Sequence, residues 1–129
     1  MASAQRILVV EDEDVLAQNV KSYLGRRSSD VRVAADGRRA MELLESFAPD
    51  VLVLDFNLPG ENGLQIYAKI LRRHAAPIGC VMITGCPLGN ISRSASELGI
   101  RHVLGKPFRL SELQQLVDQS AEEAAQAPH

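Results

Sequence analysis

Short apolar runs alternate with amphipathic stretches along the chain. Arg6-Ile7-Leu8-Val9-Val10 is almost wholly aliphatic and β-branched, Val51-Leu52-Val53-Leu54 repeats that character, and Ile78-Gly79-Cys80-Val81-Met82-Ile83 is a third such run. Runs without polar alternation suit strands covered on both faces, as in a parallel sheet. Val31-Arg32-Val33-Ala34 and His102-Val103-Leu104 are shorter and more polar, which predicts edge strands. The stretches between them follow a helical period. Val15, Leu16, Asn19, Val20, Tyr23 and Leu24 share one helical face; Ala40, Leu43, Leu44 and Phe47 share another, after a turn at Asp36-Gly37. Leu64, Tyr67, Ala68 and Leu71 form a third stripe, and Ile91, Ala95 and Leu98 a short fourth that stops near Gly99. Leu110, Leu113, Leu116 and Val117 make the last, with Ser111 near its start. Five strands alternating strictly with five helices predict an α/β domain with a parallel sheet and right-handed crossovers.

The chain has 129 residues, 46% of them hydrophobic and 23% charged. That is one domain, long enough to bury a core without disulfides or structural metal. With no room for a second folded domain, output is expected to pass through partner proteins. Residues 1–5 are expected to be a flexible N-terminus and 6–119 the domain. The small, polar residues 120–129 read as the frayed end of the last helix and a flexible tail. A net charge of −2 and a pI near 5.9 argue against direct nucleic-acid binding. No apolar run approaches the roughly 18 residues of a membrane span. Met1-Ala2-Ser3-Ala4-Gln5-Arg6 offers no apolar core of a secretion signal. Cys80 and Cys86 do not make a disulfide framework, so a cytoplasmic location is expected.

Acidic residues cluster where strands end. Glu11-Asp12-Glu13-Asp14 follows the first apolar run and Asp55 the third strand. The carboxyl ends of parallel strands share one crevice, where ligands bind. Glu11, Asp12 and Asp55 should therefore converge, joined by Thr84 after the fourth strand and Lys106 after the fifth. Two unit charges about 5 Å apart repel by roughly 3 kcal/mol at an effective dielectric of about 20. One lysine offsets only part of three carboxylates. A hard divalent cation with oxygen ligands is the natural complement, and Mg²⁺ fits better than Zn²⁺ because no Cys or His stands at ligand spacing. An aspartate beside such a cation can attack a phosphoryl group to form an aspartyl phosphate. The cation and Lys106 would neutralise the transferring oxygens, and Thr84 would hydrogen-bond them. No His, Cys or second acid stands ready to complete a hydrolytic cycle, which favours phosphorylation as a state over phosphorylation as a step.

Four segments in this order resemble the receiver domain of two-component response regulators: Ile7-Leu8-Val9-Val10-Glu11-Asp12-Glu13, Val51-Leu52-Val53-Leu54-Asp55-Phe56-Asn57-Leu58-Pro59-Gly60, Met82-Ile83-Thr84-Gly85, and Gly105-Lys106-Pro107-Phe108. Together they cover about residues 6–119. The resemblance implies a flavodoxin-like, doubly wound five-stranded parallel sheet of order 2-1-3-4-5 with helices on both faces. It implies Asp55 as phosphoacceptor, Thr84 and Lys106 as catalytic contacts, and Gly85 and Phe56 as contacts to the phosphoryl group. For Mg²⁺ it implies Glu11, Asp12, Asp55 and the backbone carbonyl of Asn57. Glu11 stands where the family more often has Asp. Gly63 completes the loop after Pro59, and the Lys106–Pro107 bond is often cis in this family. A sensor histidine kinase or histidine phosphotransfer protein would be the donor and a separate effector protein the reader. The activity implied is self-catalysed phosphotransfer with slow autodephosphorylation, not metabolic catalysis.

Two features depart from the family. Val103 stands at the position of the switch aromatic and has no ring to swing, while His102 falls on the opposite face by strand alternation. Cys86-Pro87-Leu88-Gly89-Asn90 predicts an unusual loop and a shortened fourth helix. Both support the alternative of a degenerate receiver acting as a phosphorylation-independent docking module; intact Asp55, Thr84 and Lys106 oppose it. A phosphohydrolase of the haloacid-dehalogenase type would need a second Asp two residues after the nucleophile, where Asn57 stands. Gly105-Lys106-Pro107 lacks the glycine spacing and following Ser or Thr of a phosphate loop. Glu13 and Asp14 read as acids favoured by a helix N-terminus. Cys80 reads as a small buried hydrophobe, Cys86 as exposed beside the site, and His74 and His129 as surface residues. The Arg26-Arg27, Arg38-Arg39 and Arg72-Arg73 pairs read as solvated cations rather than a nucleic-acid surface.

Overall fold

The three long apolar runs become the central strands because each must be covered on both faces. The computed structural model describes residues 6–28, 30–74, 76–85 and 88–126. Its strands are β1 (Arg6–Val10), β2 (Asp30–Ala34), β3 (Val51–Asp55), β4 (Gly79–Thr84) and β5 (His102–Gly105). They alternate with α1 (Asp14–Leu24), α2 (Gly37–Leu43), α3 (Gly63–Arg73), α4 (Leu88–Glu97) and α5 (Leu110–Gln126). All four strand pairings are parallel, in the order β2-β1-β3-β4-β5. The two polar runs lie at the edges, as their composition predicts.

Strand alternation divides the core in two. Leu8, Val10, Leu52, Leu54 and Met82 face α2, α3 and α4 through Ala40, Ile66, Ile70, Ile91 and Ala95. Ile7, Val9, Val51, Val53, Val81 and Ile83 face α1 and α5 through Val20, Leu24, Leu113 and Val117. Each fully buried aliphatic side chain contributes about 1.5–3 kcal/mol relative to exposure.

Local chemistry sets the helix ends. Asp36 caps α2, its Oδ1 accepting the Arg39 N–H at 2.8 Å. Asn62 and Gln65 form a reciprocal capping box at the start of α3. After α4, Gly99 takes a φ of +91°, and the Ile100 N–H returns to the Ala95 carbonyl at 2.9 Å.

Several helical faces differ from the sequence expectation. In α1, Val15 is 70% exposed and Asn19 is exposed; Ala17, Val20 and Leu24 form the buried edge. In α3, Leu71 is exposed, and Ile66, Tyr67 and Ile70 are buried, a stripe rotated by about one residue. Leu98 is exposed past the end of α4. Leu88, Gly89 and Asn90, expected in a loop, already belong to α4. Helix α5 does not fray at 120. Ser120 and Ala121 are buried, and a Cβ on Gly79 would lie 2.7 Å from the Ser120 carbonyl oxygen. That close approach keeps the helix packed on β4 and lets it continue to Gln126. The readings for residues 1–5, Cys86, Pro87 and 127–129 fall outside the described residues.

Candidate functional site

The carboxyl ends of β1, β3, β4 and β5 bring five sequence-predicted residues to one crevice. Glu11 directly follows β1; its N–H bonds the Ala34 carbonyl at 3.0 Å, extending the β1–β2 ladder. Its side chain is only 3% exposed. Oε2 accepts the Glu13 N–H at 3.0 Å, so the chain turning into α1 holds the carboxylate inward. Asp12 is exposed at the rim. Asp55 is the last residue of β3 and is buried; Oδ1 accepts the Asn57 N–H at 3.1 Å. Glu11, Asp12 and Asp55 each offer one carboxylate oxygen within 4.8 Å of the others.

Lys106 joins the acids from the far side. Its N–H donates to the Thr84 carbonyl at 2.8 Å, and the following bond to Pro107 is cis. Nζ lies 3.2 Å from Asp55 Oδ2 and 3.1 Å from Glu11 Oε1. The second contact is an ion pair without hydrogen-bond alignment, leaving Glu11 Oε1 buried with no hydrogen-bond donor. Burial pushes the Glu11 carboxyl up to about 7, and the Asp55 charge adds to it against the opposing Glu13 amide and Lys106. Burial alone would lower the Lys106 pKa, but the close Glu11 carboxylate and the charge of Asp55 outweigh it, so the net direction is upward. The site therefore holds more negative charge than one ammonium balances, and its buried orphan oxygen faces that charge. A single small cation with oxygen ligands fits this donor set.

Thr84, the last residue of β4, is fully buried. Its hydroxyl lies 3.5 Å from Asn57 Oδ1, which also accepts the Gly85 N–H at 3.3 Å. Gly85 is exposed, and a Cβ there would meet nothing within 4 Å, so no neighbouring atom crowds that side of its backbone. Gly63 supports Asp55 from below: a Cβ there would lie 2.7 Å from the Asp55 carbonyl and 2.9 Å from Met82 Sδ.

Phe56, expected to contact the phosphoryl group, turns its backbone N–H away from the Asp55 carboxylate. Its N–H donates to the Ile83 carbonyl at 2.7 Å and is committed to the sheet. The amide facing the Asp55 carboxylate is that of Asn57. The Asn57 side chain is the group that sequence reasoning missed, because a motif position says nothing of where an exposed amide turns. The Glu13 amide was missed likewise, although an acid two residues before the N-cap of a helix is a usable signal.

Val103 pairs with Met82 in the sheet and packs on the cluster that contains Ile91 and Ala95 of α4. His102 lies on the other face, with Nε2 3.0 Å from Glu123 Oε1 of α5. Cys80 is buried in β4, where burial raises its thiol pKa above the ordinary range. Arg38 and Arg39 pair with Glu42, and Arg27 with Asp118. Among the described residues, no helix is long and apolar enough to cross a membrane.

Residues 7–118 match the family model described as the response regulator receiver domain. The receiver domain of the Francisella response regulator 1452 is 26% identical, with a TM-score of 0.80 over 92% of this chain and 98% of that one. NtrX from Brucella abortus is 28% identical with a TM-score of 0.85 over 96% of this chain, which spans 28% of NtrX. A CheY-like receiver domain protein from Methanospirillum hungatei JF-1, 21% identical, shares the fold with a TM-score of 0.85 over 95% of this chain and 98% of that one.

Proposed function

The chain belongs to the response regulator receiver domain family, and we propose that it accepts a phosphoryl group on Asp55 and signals that event to a partner protein. The observation that carries the reading is the buried Asp55 carboxylate held from two sides, by Lys106 Nζ at 3.2 Å and the Asn57 N–H at 3.1 Å, beside two further acids. The donor is a histidine kinase or a histidine phosphotransfer protein. An Asp55 oxygen forms the new bond to phosphorus while the P–N bond of the donor phosphohistidine breaks. The imidazole leaves with the electron pair and takes up a proton.

Each residue has a separate task. The Asn57 amide orients the carboxylate through Oδ1. Lys106 neutralises charge on the acceptor and on the transferring oxygens. The Thr84 hydroxyl and Gly85 amide, at the end of β4, are donors for a phosphoryl oxygen. Glu11, Asp12 and Asp55, with the Asn57 carbonyl, would hold Mg²⁺, which when bound neutralises developing phosphoryl charge. The product adds a charge of about −1.5 to −2 to the crevice. That charge acts on Thr84 and Lys106, which end β4 and precede α5, so the surface built on α4, β5 and α5 is where a partner reads the change. A cytoplasmic location accords with this chemistry.

The test is transfer of label from a phosphorylated histidine phosphotransfer domain to wild type and to Asp55→Asn. The reading expects label on wild type alone. Equal labelling of both refutes Asp55 as the acceptor, and labelling of neither while another receiver accepts from the same donor refutes the reading in favour of the docking-module alternative.

A further inference from the structure

At the mouth of the crevice, position 57 bonds to its neighbours through both its backbone and its side chain. The Asn57 N–H donates to Asp55 Oδ1 at 3.1 Å. The side-chain Oδ1 accepts the Gly85 N–H at 3.3 Å and the Thr84 hydroxyl at 3.5 Å. Gly85 and Thr84 are the donors that take a phosphoryl oxygen in the function proposed above, on which this inference rests. An amide oxygen at these distances is a weak acceptor, since N–H···O bonds centre near 2.9–3.0 Å. A charged phosphoryl oxygen makes shorter and stronger bonds with the same groups.

We infer that the Asn57 side chain is a placeholder acceptor: its Oδ1 engages Thr84 and Gly85 in the resting protein and gives them up to the phosphoryl group. Two consequences follow from the geometry. The donors stand already directed at an oxygen, so little reorganisation is needed when charge arrives. The displaced side chain, exposed on the β3–α3 loop, must also move in step with phosphorylation. Val103 supplies no ring for that purpose, whereas the Asn57 amide changes partners as a direct result of the chemistry.

Beryllium trifluoride with Mg²⁺ probes the exchange without a covalent step. Asn57→Ala removes the competing acceptor from an exposed position, so the fold is retained, which the melting temperature checks. The variant is expected to bind the mimic about threefold to tenfold more tightly, the scale of one net hydrogen bond. In spectra of the resting protein, the Gly85 amide resonance should move in Asn57→Ala. At saturation with the mimic, wild type and variant should superimpose at Gly85. Equal or weaker binding by the variant, or a resting Gly85 amide that does not move, overturns the placeholder. Failure of wild type itself to bind the mimic overturns the phosphoryl reading, and the release step with it.

Discussion

Replacing Glu11 by Gln tests the electrostatics of the crevice through stability alone. Glu11 is buried and faces both Asp55 and Lys106, and its carboxyl stands at about 7 against an ordinary 4.5. The folded protein thus keeps a proton between about pH 4.5 and 7 that the unfolded chain releases. A raised carboxyl contributes stability that is fully present below the unfolded value and is lost as pH rises through the folded one. At about 1.4 kcal/mol per pH unit, the gap amounts to about 3 kcal/mol lost over that window. Asp55, Lys106 and the Glu13 amide stay in place in the variant, so the change isolates the Glu11 proton. Urea unfolding in chelator at pH 5 and pH 7.5 reads the difference. Metal-free Glu11→Gln should gain on wild type from pH 5 to pH 7.5, by up to about 3 kcal/mol. Saturating Mg²⁺ should narrow the gap at pH 7.5, since a ligand at 100 times its Kd adds about 2.7 kcal/mol to whichever protein binds it. A difference between the two proteins that is the same at both pH values would refute the buried-charge reasoning.

Other outcomes are equally specific. Lys106→Met should slow phosphorylation by a small-molecule donor about 100-fold or more, as loss of one preorganised charge donor does; a rate within threefold of wild type contradicts its role at Asp55. Leu54→Ala, in a fully buried strand position, should cost about 2–5 kcal/mol in denaturant unfolding. Asp36→Ala should cost about 1 kcal/mol through loss of the α2 cap, with no effect on Mg²⁺ binding. Mg²⁺ titration followed by NMR should perturb residues 11, 12 and 55 to 57 first, and silence there removes the metal site.

The fold was legible because the strands announce themselves. Ile7-Leu8-Val9-Val10 and Val51-Leu52-Val53-Leu54 can be buried on two faces only in a central parallel sheet, and the shared crevice of their carboxyl ends follows from topology. Helical faces were less legible. Val15 and Leu71 look like core by composition, but Ala17 and Ile70 occupy the buried edge, because packing selects the face and a stripe one residue wide of it reads almost as well. The end of α5 was hidden because its small residues suggest fraying, whereas Ser120 packs closely on Gly79. At the site, the residue types pointed to acids, a hydroxyl and a lysine at one place. That the Phe56 amide is spent on Ile83, and that the Asn57 side chain turns to Thr84 and Gly85, depend on loop geometry that no spacing rule encodes.

Intact-mass and peptide mass spectrometry after incubation with acetyl phosphate, with and without Mg²⁺, tests the central claim most directly. One added phosphoryl group, dependent on Mg²⁺, mapping to Asp55 and missing from Asp55→Asn, is the predicted result. An adduct elsewhere, one indifferent to Mg²⁺, or none at all contradicts it.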